Sequence, residues 1–341
     1  MNFLDSPYRI NLITNPYECN LNCIMCDEHS PSNLKSRKKT SNRCPILFMD
    51  YKVIQSLFND YKHLNFKEIV TSAMGEPLLY RHIDNIIDFC EKSKTLLHIT
   101  TNGTFPKQGV EFWSKKLTAI GANIKISLNG ANDDTQAKIM PGADLNRVIN
   151  NIKKLVKIRD ETVSQGGLKS LITLKITFME SNFHEIPEII NLAYSLGVDR
   201  IRGSHLMSLF PQLDHECLNR SEKSKQRFNE MMLKVKQMIK NLENISDKKI
   251  ILSNFIPLNN HYHIGDCPYA GKEAWINEQG NLISCCLPEK VRPKHMTFGN
   301  ILKNGLLSMW KSSSYYDFCK NYKKYPECIN CSKRSIDYQE D

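Results

Sequence analysis

Hydrophobic positions along this chain alternate between two periods. Short runs rich in Ile, Val, Leu and Thr fall at Arg9–Thr14, Lys67–Ser72, Leu96–Thr101, Asn123–Leu128, Leu171–Phe178 and Arg200–Gly203. Between them the apolar residues recur at the spacing of three and four that one helix face requires. This places helices at His82–Lys92, near Gln108–Leu117, at Leu145–Arg159 (Leu145, Val148, Ile149, Ile152, Leu155, Val156) and at Glu185–Leu196. Strands that alternate with helices predict a parallel sheet.

Six such repeats are too few for a closed eight-unit barrel. The expected fold is therefore α/β, a partial (β/α)6 TIM-like barrel over residues 1–210. A connecting helical region, 211–254, contains Lys223–Ile245, with Phe228, Met231, Met232, Val235, Met238, Ile239 and Leu242 on one face. That Met-rich stripe reads as core packing. From about Phe255 the chain gains Pro, Gly and Tyr, loses long periodic patterns and becomes dense in cysteine, so 255–341 reads as a small cysteine-rich metal-binding domain. Glu28–Pro45, rich in Ser, Lys and Asn, reads as a flexible insertion.

Charge narrows the partners only slightly. The net charge of +10 comes from 46 basic and 36 acidic residues and is diffuse; runs such as Ser36–Thr40 and Lys320–Lys324 read as solvated surface. With no appended RNA-binding module and no aromatic platform, a nucleic-acid partner is not expected. No apolar stretch reaches membrane-spanning length, and no charged n-region precedes an apolar run, so a cytoplasmic location is expected.

The cysteines change the picture most. Most of the twelve fall into two clusters towards the ends, with short spacings that argue for metal rather than disulfides. Cys90, on the apolar side of a predicted helix, reads as a buried hydrophobe. Cys19, Cys23 and Cys26 form C-x3-C-x2-C directly after the first predicted strand. Three thiolates can hold three corners of a cubic [4Fe–4S] cluster and leave one iron open, whereas most clusters that only carry electrons take four cysteines. Zinc is the competing reading; it wants four closed ligands, for which His29 could be recruited, but no second knuckle lies close by. Reactive groups of a parallel αβ architecture gather where strands end. Here Met74-Gly75-Glu76-Pro77 follows the second strand, Thr101-Asn102-Gly103 the third and Ser127-Leu-Asn-Gly130 the fourth.

The cysteine loop and these strand-end motifs together resemble the radical S-adenosylmethionine (radical SAM) superfamily. The resemblance implies that Cys19, Cys23 and Cys26 hold a [4Fe–4S] cluster whose open iron chelates S-adenosylmethionine, and that electron transfer releases a 5'-deoxyadenosyl radical. It implies that Gly75, Glu76 and Pro77 meet the methionine end of the cofactor, although Met74 stands where many members have a first glycine. Met25 stands where the family places a bulky residue against the adenine, and Asn102 belongs to the set at the third strand end. Ser127 matches a ribose-contacting position, Asn129 replaces a more usual aspartate, and Asn182 resembles a loop residue near the cofactor. For these last three, turn-forming and helix-capping roles compete with cofactor contact.

The C-terminal cysteines resemble the SPASM/twitch extension. Cys267, Cys285, Cys328 and Cys331 would hold one auxiliary [4Fe–4S] cluster, with zinc the alternative for four thiolates. Cys286 competes with Cys285, and Cys319 reads as packing in a helix over Tyr315–Lys320. The expected activity is hydrogen abstraction from a peptide or small natural product, leading to oxidation, cross-linking or epimerisation, with a flavodoxin or ferredoxin as reductant. Cys217, after the sixth strand, is the candidate hydrogen donor, and a packing role competes with that reading. RNA modification and a non-enzymatic zinc protein are the alternatives.

Overall fold

The computed structural model describes residues 3–33, 48–71, 74–245, 249–258, 265–329 and 331–334. Most of the predicted insertion, with Cys44, lies outside the described residues. Strands β1 (Arg9–Leu12), β2 (Glu68–Thr71), β3 (Leu96–Thr101), β4 (Asn123–Ser127), β5 (Ile172–Phe178) and β6 (Arg200–His205) stand where the hydrophobic runs place them. So do helices α2 (Ile83–Ser93), α3 (Gly109–Ala119), α5 (Leu145–Ser164), α6 (Ile186–Leu196) and α7 (Glu222–Ile245). Repeated strand and helix with parallel pairing is the partial-barrel architecture expected.

The chain forms two compact units. The first comprises Met1–Glu18, Cys44–Ile99 and Asn260–Asp341. In it β1 pairs in parallel with β2, and β2 with β3. On its other side β1 pairs in parallel with β8 (Glu273–Ile276), the first strand of the cysteine-rich region. Strand β9 (Asn281–Ile283) returns antiparallel to β8 as a hairpin, and β10 (Thr297–Asn300) lies antiparallel to β9. The hairpin turn needs a left-handed residue, and Gly280 supplies it at φ 80°.

What joins these strands chemically is a buried ion cluster. Arg9 donates to Glu68 at 2.6 Å and to Glu273 at 3.0 Å; Asn11 donates to Glu273 at 2.8 Å; and His98 lies 3.2 Å from Glu68. Arg9 on β1 thereby bridges the carboxylates of β2 and β8, and a cation only 5% exposed is matched by two acidic partners. Burial alone would raise the Glu68 carboxyl, but the His98 hydrogen bond and the Arg9 charge hold it below the usual carboxylate range.

The second unit comprises Cys19–Arg43 and Thr100–Asn259, in which β4, β5, β6 and β7 (Ile251–Ser253) pair in parallel. Helix α5 starts where Asp144 accepts from the Arg147 N–H, and it buries Leu145, Val148, Ile152, Leu155 and Val156 on one face. Each such side chain is worth about 1.5–3 kcal/mol of burial. Of the Met-rich stripe, Phe228, Met232 and Val235 of α7 are core, whereas Met231, Met238, Ile239 and Leu242 are only half-buried. Elements that the hydrophobic runs did not place include α1 (Tyr51–Asn59), α4 (Asp133–Ile139) and the seventh parallel strand β7. Helix α1 does show helical spacing, with Val53, Ile54 and Leu57 buried, whereas α4 buries only Gln136 and Ile139 and β7 has three residues with Ile251 exposed.

Replacing Arg9 with Met would leave Glu68 and Glu273 buried without their cation. The expected loss is about 3–5 kcal/mol at neutral pH, read by urea or thermal unfolding. The stability Glu68 gains from its lowered pKa is fully present above the ordinary carboxylate range and is lost as pH falls through the lowered value. The penalty of the variant therefore shrinks in acid.

Candidate active site and metal centres

The approach to the cysteine loop is set within the first unit. Gly75 packs against the chain just before Cys19: a Cβ there would fall 2.1 Å from the Asn15 carbonyl oxygen and 2.3 Å from that of Glu18. The Glu76 N–H donates to Glu18 O at 2.9 Å, and Asn15 Nδ2 donates to Glu76 O at 2.8 Å. The buried Glu76 carboxylate accepts from the Leu78 N–H and so caps the short turn Pro77–Leu79. Glycine is required at 75 because backbone, which cannot swing aside, occupies the space of a side chain.

The loop itself belongs to the second unit. Asn22 N–H donates to Pro141 O and Ile24 N–H to Ile139 O, pinning the loop to the end of α4. Leu21, Ile139, Met140, Ala143, Met179 and Leu206 form an apolar cluster, against which Cys19, Cys23, Ile24, Met25 and Cys217 pack. The sulfurs are met by N–H groups: Leu21 N–H approaches Cys19 Sγ at 3.4 Å, His29 N–H approaches Cys26 Sγ at 3.3 Å, and Asn102 Nδ2 lies 3.9 Å from Cys19 Sγ. Asn102 also donates to Asn20 Oδ1 at 2.9 Å, and Asn20 donates to Thr104 Oγ1 at 2.9 Å. Asn20 is thus a positioning residue that the reading of the motif missed, although it lies inside the C-x3-C spacing. Burial pushes the Cys26 thiol up to about 11.

Ser127 ends β4 and is half-buried. Asn129 and Asn182 are spent on internal bonds. Asn129 Oδ1 accepts from Thr177 N–H at 2.8 Å and its Nδ2 contacts Met140 Sδ; Asn182 Oδ1 accepts from Met179 N–H, and its Nδ2 donates to Asn129 O and Thr177 O. The pair braces the ends of β4 and β5. Cys217 follows a turn over Pro211–Glu216 and lies in the same packed cluster as Cys19, Cys23 and Met25, with burial raising its thiol pKa. Close to it in sequence, Arg220, Lys223 and Arg227 line a net-positive cleft of about 550 Å³ with Glu180, Ser221 and Ser224.

The second cysteine group lies in the first unit. Cys267, Cys285 and Cys286 pack against Ile13, Tyr269, Trp275 and Ile283. Cys267 interacts electrostatically with Cys331 and Cys286, Cys285 with Cys286 and Cys267, and Cys328 with Cys267 and Cys331. The four predicted ligands and Cys286 thus share one neighbourhood, although among the described residues no three ligating side chains already stand at metal-binding spacing. Ala270 N–H approaches Cys267 Sγ at 3.5 Å, and Ser284 Oγ approaches Cys285 Sγ at 3.7 Å. Arg334 closes the region by donating to Gly265 O and Cys328 O. Cys319, in the helix Ser313–Asn321, is buried in packing, and burial pushes it to about 12. Cys90 is likewise buried.

Both groups suit an iron–sulfur cluster by the chemistry of their donors: every described cysteine is a free thiol, and N–H groups face the sulfurs of Cys19, Cys26 and Cys267. The profile of the Radical SAM superfamily matches residues 16–193, and that of the SPASM iron-sulfur cluster-binding domain matches residues 267–332. The chain belongs to the radical SAM superfamily and carries a SPASM domain; its cofactors are a [4Fe–4S] cluster with S-adenosylmethionine and auxiliary iron–sulfur. It is similar to the tungsten-containing aldehyde ferredoxin oxidoreductase cofactor-modifying protein of Pyrococcus furiosus, 24% identical over 93% of this chain and 85% of the relative. A probable GTP 3',8-cyclase of Methanocaldococcus jannaschii is 28% identical, over 54% of each chain. Among solved structures, Streptococcus suis SuiB bound to S-adenosylmethionine aligns with TM-score 0.68 at 16% identity, covering 98% of this chain and 73% of SuiB. The enzyme anSMEcpe with bound AdoMet aligns with TM-score 0.68 at 13% identity, over 98% of this chain and 92% of its own.

Alanine at Cys19, Cys23 or Cys26 should abolish 5'-deoxyadenosine formation in anaerobically reconstituted protein, measured by chromatography. Alanine at Cys267 or Cys328 should lower bound iron by about four atoms per chain and reduce the melting temperature. Gly75→Ala should displace the backbone at Asn15–Glu18 and lower both melting temperature and the yield of the first cluster; an unchanged yield would remove the role given to that contact.

Proposed function

We propose that this radical SAM enzyme modifies a peptide, and that Cys217 returns a hydrogen atom to the substrate carbon, so that the product is an epimer. The observation that carries the reading is the packing of Cys217 in one apolar cluster with Cys19, Cys23 and Met25. When bound, the cluster and S-adenosylmethionine supply a 5'-deoxyadenosyl radical that removes a hydrogen atom from an unreactive C–H bond.

The chain's own residues do the rest. Cys19, Cys23 and Cys26 would hold the cluster, and Met25, Asn102 and Ser127 of the same unit would line the cofactor. Asn129 and Asn182 shape that floor through the main-chain bonds they hold. Apolar Leu21, Met140, Met179 and Leu206 exclude water, which a reactive carbon centre needs. The Cys217 S–H bond breaks homolytically and a substrate C–H bond forms; a ferredoxin- or flavodoxin-type reductant then supplies the electron, and solvent the proton, that restore the thiol.

A peptide substrate is supported by fold likeness: SuiB has been solved with its precursor peptide SuiA, and anSMEcpe with the Kp18Cys peptide. A second reading, modification of a cofactor or other small molecule, is favoured by the Pyrococcus furiosus relative, which aligns over most of both chains. A cytoplasmic setting suits the free thiols, and among the described residues no helix is long and apolar enough to cross a membrane.

In deuterated water the wild-type product should carry one deuterium at the modified carbon. Cys217→Ala should still form 5'-deoxyadenosine yet lose at least tenfold in deuterated product. Unchanged product and label in that variant would sink the donor assignment in favour of another hydrogen donor, and a wild-type product without deuterium would leave oxidation as the outcome.

A further inference from the structure

Two buried N–H groups beside the second cysteine cluster lack a partner among the described residues: Trp275 Nε1 and Arg292 Nε. Trp275 is only 7% exposed and packs in the same apolar group as Cys267, Cys285 and Cys286. Arg292 has burial as the largest influence on its guanidinium, followed by its electrostatic interaction with Cys285; Glu289, Glu278 and Cys286 also act on it. Its Nη2 donates to Leu287 O, which holds the side chain against the hairpin exit.

An indole nitrogen can only donate. Leaving such a donor unpaired inside a protein costs about 1–3 kcal/mol, a cost that Phe in the same apolar setting would not carry. The neighbours packed with Trp275 are three apolar or aromatic groups, Ile13, Tyr269 and Ile283, and three sulfurs. The side-chain acceptors in this neighbourhood are the Tyr269 hydroxyl and the three sulfurs, and sulfurs ligated to iron carry the negative charge that draws an N–H donor. Iron–sulfur potentials depend on net charge and on hydrogen bonds to the sulfurs, and both a donor and a nearby cation stabilise the reduced, more negative state.

We infer that Trp275 and Arg292 are positioning residues of the auxiliary cluster: their N–H groups donate to its sulfurs and raise its reduction potential, so that it accepts an electron more readily. The inference rests on the auxiliary cluster but not on the peptide or epimerase reading.

The test is a redox titration of the full chain, reconstituted anaerobically with iron and sulfide and followed by electron paramagnetic resonance. The cluster whose signal does not respond to S-adenosylmethionine is taken as the auxiliary one. Trp275→Phe keeps the packing and removes the donor; it should make reduction about tenfold less favourable, a downward shift of 59 mV for a one-electron couple, at unchanged iron content. Arg292→Met should shift the potential in the same direction. In wild-type protein labelled with 15N-tryptophan, the reduced auxiliary cluster should show a 15N coupling that tracks an exchangeable proton. This readout stands even if Trp275→Phe loses the cluster. An unshifted potential in Trp275→Phe, or no 15N coupling, overturns the assignment of Trp275. Iron and sulfide enough for only one cluster would overturn the auxiliary centre itself, a result that the titration and the iron assay tell apart.

Discussion

A thiol surrounded by protein keeps its proton unless a metal takes that proton's place. Burial pushes Cys26 and Cys267 to about 11 and Cys328 to about 12, so at neutral pH and without metal these three thiols stay protonated. Iron reverses this preference, since thiolate is the ligand form and protons leave as the metal enters. Much of the local structure serves that exchange. N–H groups at Leu21, His29 and Ala270 face sulfurs that will carry negative charge, and apolar walls keep competing water away.

The polar residues at the strand ends divide their labour accordingly. Asn102 and Asn20 tie the third strand end to the cysteine loop, while Asn129 and Asn182 commit their side chains to backbone at the ends of β4 and β5. Gly75 contributes by having no side chain, which lets its backbone lie against Asn15 and Glu18. A motif residue can therefore be required for a loop's path rather than for a ligand's contact. Asparagine suits such a post because one side chain both donates and accepts across short gaps.

The hydrophobic rhythm made the six strands and five main helices legible, because a long element must show its buried face in every turn or every second residue. The cysteine spacings were equally legible, since ligands of one cluster that lie close in sequence are close in space by chain geometry alone. Short elements were not: α4 and β7 are too brief to repeat a buried face, and α1 shows its spacing, Val53, Ile54 and Leu57, over only nine residues. Nor was the fate of Asn129 and Asn182, whose types suit a cap, a turn or a cofactor contact equally well.

From its sequence alone, then, this protein was determined to be an α/β radical SAM enzyme with two cysteine centres. Only tertiary structure decided that β8 of the cysteine-rich region extends the sheet from β1, that Arg9 neutralises Glu68 and Glu273 there, and that Trp275 and Arg292 stand beside the second set of sulfurs. The physical reason is separation along the chain. Period and spacing report contacts between near neighbours, whereas an ion pair bridging residues 9 and 273 leaves no periodic trace and exists only once the backbone has brought the partners together.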